Sequence, residues 1–173
     1  MTTVDELEDV RQDLETLLTD VLYSVVGEEA YPTDDPLPGG PLATSRLASH
    51  DELEDSYLGM QIRVGAVLAR LLASRMMAVG NPLPEDLLDA VGELGNIIGG
   101  NVKTLMFHTA RLSLPVADLT DSGGSAPGAA APGVTVRAQV FGQVAELSLI
   151  PDASVDGLFW PPSVVDDVME SSS

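Results

Sequence analysis

The chain has 173 residues, 45% of them apolar but only 4% aromatic, which fits one domain with an interior of Leu, Val, Ile and Ala. It contains no Cys, so a disulfide framework, a thiol nucleophile and a Cys-based metal site are excluded. A formal net charge of −19, from 27 acidic and 8 basic residues, opposes nucleic acid and anionic membrane. Its ordinary meaning is solubility, and its sharper one a surface suited to a basic or metal-bearing partner. The acidic start, MTTVDELEDVRQD, lacks the basic and apolar regions of a signal peptide, and no apolar run reaches the roughly 20 residues that span a bilayer. A cytoplasmic location is expected.

A first helix is predicted over Val4–Val26, with Val10, Leu14, Leu17, Leu18, Val21 and Val25 at helical spacing and Gly27 as its stop. Residues 28–40 form a connector with three prolines. LATSRLAS and SYLGMQIRV read as a hairpin around the charged turn HDELED. A second helix is expected over Gly65–Met77, where Val67, Leu68, Leu71, Leu72, Arg75 and Met76 fit an amphipathic pattern. After the break GNPLP, Pro84 suits the first turn of a third helix running to about Phe107. RLSLPV is a short strand ending near Pro115, and Asp121–Gly133 a flexible Gly/Ala/Pro loop. Val134–Val140 and Gln143–Ile150 make a second hairpin turning at Phe141 and Gly142, and an acidic tail, 152–173, is expected to be partly disordered. This order does not alternate strand and helix. It predicts an α+β fold, a single domain over 1–151, with helices on one face of a mainly antiparallel sheet.

The third helix carries the unusual stretch GELGNIIGG, Gly92–Gly100. Glycine in a helix interior costs about 1 kcal/mol relative to Ala, so four of them need a reason. At 100° per residue, Leu87, Val91, Leu94, Ile98, Val102 and Leu105 share one face. Asp89, Glu93, Asn96, Gly100 and Lys103 share the opposite one, with Gly92, Gly95 and Gly99 along the flank. A smooth glycine strip lets another backbone approach, either a neighbouring element of the same chain or a partner that meets Glu93 and Asn96. Neither residue is a strong nucleophile. Asn offers a donor and an acceptor on one amide and can hold a water in line for attack, while Glu can pair with a lysine across an interface. The pattern suits a protein that completes another protein's active site. GGNVKT is no phosphate loop, because Val102 precedes Lys103 and the stretch is mid-helix. His50 and His108 have no spaced partner that would mark a metal or catalytic motif.

At these residues the sequence resembles the CheC/CheX chemotaxis phosphatases, on the CheX side. The family motif is Asp or Ser, three residues, Glu, two residues, Asn, usually with Gly four later, and here it reads Asp89, Glu93, Asn96, Gly100 in DAVGELGNIIGG. The resemblance implies a CheC-like fold with two long helices and an N-terminal helix on the sheet. It implies hydrolysis of the aspartyl phosphate of a CheY-like receiver domain. Asn96 would orient the attacking water and Glu93 would pair with the partner's lysine. Asp89, Gly92, Gly100 and Lys103 would form the rest of the docking surface. It implies no metal site or cofactor in this chain, since the Mg²⁺ belongs to the partner. CheX-like members carry one such helix per chain and can form homodimers, and no second ExxN occurs here. A non-catalytic adaptor of the same fold, as in flagellar switch proteins, and a dimerisation domain with the glycine strip packed inside are the rival readings.

Overall fold

The computed structural model describes residues 3–106, 109–120 and 132–152. The expected loop at 121–133, except for Pro132 and Gly133, and the tail beyond Asp152 lie outside them, as do Phe107 and His108.

The predicted first helix is two helices. α1 (Val4–Asp9) is held by a capping box in which Thr3 and Glu6 exchange side-chain-to-backbone bonds. The chain breaks at Val10 and continues as α2 (Arg11–Val26), which ends at Gly27 in the left-handed conformation with φ +81°. The buried side chains of α2 are Leu14, Leu18, Val21, Leu22 and Val26, whereas Leu17 and Val25 are only half-buried. The helix is therefore rolled from the predicted face, because Leu22 and Val26 also point inward.

The connector holds a two-residue strand, β1 (Tyr31–Pro32). β2 (Leu42–Asp51) and β3 (Ser56–Gly65) form the first hairpin, longer than predicted, with His50 and Asp51 inside the strand. α3 (Ala66–Met77) buries Leu68, Ala69, Leu72 and Ala73. Val67 is exposed. α4 (Pro84–Met106) begins with Pro84 in its first turn and Asp86 accepting the Leu83 N–H at 2.7 Å. RLSLPV does not make one strand. β4 (Arg111–Leu112) and β5 (Val116–Thr120) are separated by Pro115, and both pair with β2. β6 (Val134–Val140) and β7 (Gln143–Pro151) are the second hairpin, and both turn residues, Phe141 and Gly142, have positive φ.

All pairings are antiparallel, in the order β1-β6-β7-β3-β2, with β4 and β5 on the free edge of β2. This is the α+β architecture expected. α2, α3 and α4 cover one face. Their leucines meet Leu47, Met60, Ile62, Val136 and Leu147 in one core cluster. The other face is polar and cross-linked. Glu146, with 3% of its side chain exposed, takes Arg63 at 2.5 Å and Arg137 at 2.8 Å. Arg46 pairs with Asp118 at 2.5 Å.

α4 lies close on β2 because its flank is bare. A Cβ at Gly95 would collide with Ser45 Oγ, and one at Gly99 with a methyl of Leu47. Gly95 and Gly99 thus serve packing inside the chain. Gly99→Val should lower stability in urea unfolding by about 3 kcal/mol through overpacking. Glu146→Ala should cost about 2 kcal/mol, because it leaves the half-buried guanidinium groups of Arg63 and Arg137 without their shared carboxylate.

Candidate functional site

α4 is long enough, at about 35 Å, to cross the sheet and still present a full outer face. Its buried side is Leu87, Ala90, Val91, Leu94, Ile98 and Val102, fixed on β2 by the two packing glycines. That contact turns Asp89, Glu93 and Asn96 outward, where all three are exposed, with Gly100 and Lys103 half-exposed further along the row. The structure therefore places the predicted row on one solvent-facing ridge about 21 Å long. Only Leu105 departs from its predicted face. It is 39% exposed, at the end of the helix.

Within the row, Glu93 and Asn96 are one turn apart. Asn96 Nδ2 points to Glu93 Oε2 at 3.5 Å, a long contact that biases the amide without locking it. In that orientation Asn96 Oδ1 faces away from the carboxylate and can accept a hydrogen bond from a ligand or water. Glu85, Asp89 and Glu93 follow one another at four-residue steps. Such like-charge spacing costs a few tenths of a kcal/mol per pair and adds nothing to folding. The four glycines divide into two kinds. Gly95 and Gly99 are buried against β2. A Cβ at Gly92 would only touch Ala117 at 4.0 Å, and one at Gly100 would meet nothing within 4 Å. Gly100 thus gives the ridge a bare step directly after Asn96.

Two hollows flank the ridge, and sequence spacing alone did not reveal them because each is shared between helices. One, of 540 Å³, lies beside Asp89 and Glu93 and is lined by Val25, Met76, Met77, Ala90 and Ile97. The other, of 730 Å³, runs between α2 and α4. Methionine lining gives the first an adaptable apolar surface against the carboxylates. No group of three or more His, Asp or Glu side chains able to hold a metal occurs among the described residues. No described helix is long and apolar enough to cross a membrane. His50 meets Asp55 at 2.9 Å and stacks on Tyr57 with ring centroids 4.3 Å apart, on β2 and β3 rather than on the α4 ridge.

The sheet order and the helix layer define a CheC/CheX-like fold. The family model of the chemotaxis phosphatase CheX matches residues 55–137, which contain the whole α4 ridge. The chain is CheX-like in sequence through this stretch, and in fold over about four fifths of its length. Solved structures with this fold include the chemotaxis protein CheX of Vibrio vulnificus, 17% identical, covering 80% of this chain and 93% of that one with a TM-score of 0.65. Another is the CheX–CheY–BeF3–Mg²⁺ complex from Borrelia burgdorferi, 14% identical, covering 81% and 96% with a TM-score of 0.53. FliY of Thermotoga maritima is 16% identical over 100% of both chains, with a TM-score of 0.55. At these identities the likeness is one of fold. No curated protein matches the sequence.

Because nothing packs on Gly100, Gly100→Ala should raise stability by about 1 kcal/mol through helix propensity. A melting temperature that falls instead would show that this position packs inside the protein.

Proposed function

We propose that the protein hydrolyses the aspartyl phosphate of a CheY-like receiver domain by inserting the α4 ridge into that domain's acidic pocket. The observation that carries this reading is the pairing of Glu93 and Asn96, side by side and exposed at mid-helix, on a ridge that packs against nothing among the described residues. The CheX family match over that ridge supports it. So does the fold shared with a CheX protein whose structure was solved together with CheY, BeF3 and Mg²⁺.

In this reading Asn96 Oδ1 accepts a hydrogen bond from a water and holds it in line with the phosphorus. The water's oxygen bonds to phosphorus as the bond to the aspartyl oxygen breaks. The products are the receiver's carboxylate, inorganic phosphate and a proton released to solvent. Glu93 pairs with a lysine of the receiver and fixes the register of the helix in the pocket. The receiver brings the Mg²⁺, and this chain needs no cofactor. Asp89 shapes the ridge, Gly92 and Gly100 let the partner's backbone approach, and Lys103 closes the row. The site works in the cytoplasm, one per chain, in a monomer or in each half of a homodimer.

A dephosphorylation time course tests this, with receiver domains phosphorylated by a small-molecule donor in the presence of Mg²⁺. Wild-type protein should speed phosphate loss, and Asn96→Ala should lower the rate about 100-fold or more while the fold survives. A fully active Asn96→Ala protein would sink the mechanism. Binding without acceleration by the wild type would instead make the chain an adaptor. Glu93→Lys should weaken binding of the receiver domain by about 2 kcal/mol or more, because it sets lysine against lysine. An unchanged titration curve would remove Glu93 from the interface.

A further inference from the structure

The groove between α2 and α4 is not used by the catalytic pair, and its chemistry is distinct. α2 runs antiparallel beside α4, so that Val25 lies near Asp89 while Asp13 lies near Leu105. The floor of the groove is apolar, from Leu17, Ile97 and Leu105. Its α2 wall carries Asp13 and Asp20, two turns apart and both exposed, and no basic side chain among the described residues lines it. Ile97 lines both this groove and the hollow beside Glu93, so the depression is continuous with the ridge that carries the site. Leu105 is exposed at its far end, an apolar side chain left without cover.

We propose that this groove seats a helix of the receiver domain that bears apolar residues at i, i+3 or i+4 and basic residues about two turns apart. It thereby selects which receiver domain is dephosphorylated. The proposal rests on the receiver-phosphatase reading and adds a specificity surface to it. Helix-in-groove recognition uses this combination of an apolar stripe and flanking charge. Two turns of a partner helix advance about 10.5 Å, the same as the step from Asp13 to Asp20 along α2. Charge decides between occupants. The chain's own C-terminal segment carries Asp156, Asp166, Asp167 and Glu170 with no basic residue, and would be repelled. A second copy related by a two-fold axis would set Asp13 and Asp20 against the same acids. A basic, amphipathic partner helix meets neither obstacle. Because Asn96 and Glu93 sit on the adjacent ridge, both surfaces can be engaged together.

The test is a KM-against-kcat split with one phosphorylated receiver domain on which the wild type is active. The Asp13→Lys/Asp20→Lys double variant should raise KM about tenfold and leave kcat unchanged, with the effect shrinking at high salt. Leu105→Glu, at an exposed position, gives a second reading should the double variant fail to fold, and should also raise KM alone. Unchanged KM in either folded variant overturns the groove proposal while leaving the phosphatase reading intact. A wild type inactive on every receiver domain strikes the underlying reading first. A change of oligomeric state in sedimentation, caused by the charge reversal, would assign the groove to a second copy and overturn the proposal.

Discussion

The fold turns on the contact between a bare stretch of α4 and β2. Gly95 over Ser45 and Gly99 over Leu47 let the helix backbone lie closer to the sheet than any side chain would allow. This has costs. Two glycines weaken the helix by about 1 kcal/mol each, and Ser45 Oγ is buried without a hydrogen-bond partner among the described residues. The gain is rotational. With those positions pressed on β2, α4 has one orientation about its axis, in which Leu87, Val91, Leu94, Ile98 and Val102 are inside and Asp89, Glu93 and Asn96 are outside. The ridge is held outward by a contact on the far side of the same helix.

Electrostatics divides the molecule along the sheet. On the polar face, Arg46, Arg63 and Arg137 are tied to Asp118 and Glu146, so scarce basic residues are spent on buried or half-buried carboxylates. On the helix side, α4 opens with Glu85 and Asp86 and continues through Asp89 and Glu93, with no ion pair to either of the last two among the described residues. Acids near a helix N-terminus are favoured by its dipole, which accounts for the first two only. Glu93 stands in the third turn, beyond that influence. Its presence next to Asn96, with no folding role there, is a local inconsistency of the kind found at interaction surfaces.

Much of this was legible from residue spacing, and the exceptions have physical causes. The outward row of α4 follows from 100° steps because this helix is strongly amphipathic, with its apolar residues on one side. α2 misleads because it packs against both β6 and the neighbouring helices. Leu22 and Val26 go inside and widen the buried face beyond a single stripe. The break at Val10 had a local signal, the Thr3–Glu6 capping box followed by a second start at Arg11, but helical periodicity runs through it almost undisturbed. β5 has no alternation to betray it. VADLT becomes a strand by pairing with β2, more than sixty residues earlier in the chain, with Thr44 opposite Asp118. Leu105 breaks the pattern of its face because a groove, rather than a core, meets the end of α4. The glycines looked like one strip. Only their neighbours show that Gly95 and Gly99 serve packing while Gly100 stays open.

The order of strands carries a consequence for how the chain reaches this state. β2, β3, α3 and α4 are contiguous, from Leu42 to Met106, so the helix bearing the ridge and its bed on β2 assemble through nearby contacts. β7 then joins β3 across a separation of more than eighty residues, for example Met60 with Leu149. Pairing of that range is entropically late. The ridge helix would therefore form on half a sheet, and the β6–β7 hairpin would dock afterwards as the closing step. A fragment cut to residues 55–137 would keep Glu93 and Asn96 yet lose β2 and β7, both neighbours of β3. It would leave α4 without β2, the strand it lies against most, and with β5 and the bare edge of β3 beside it.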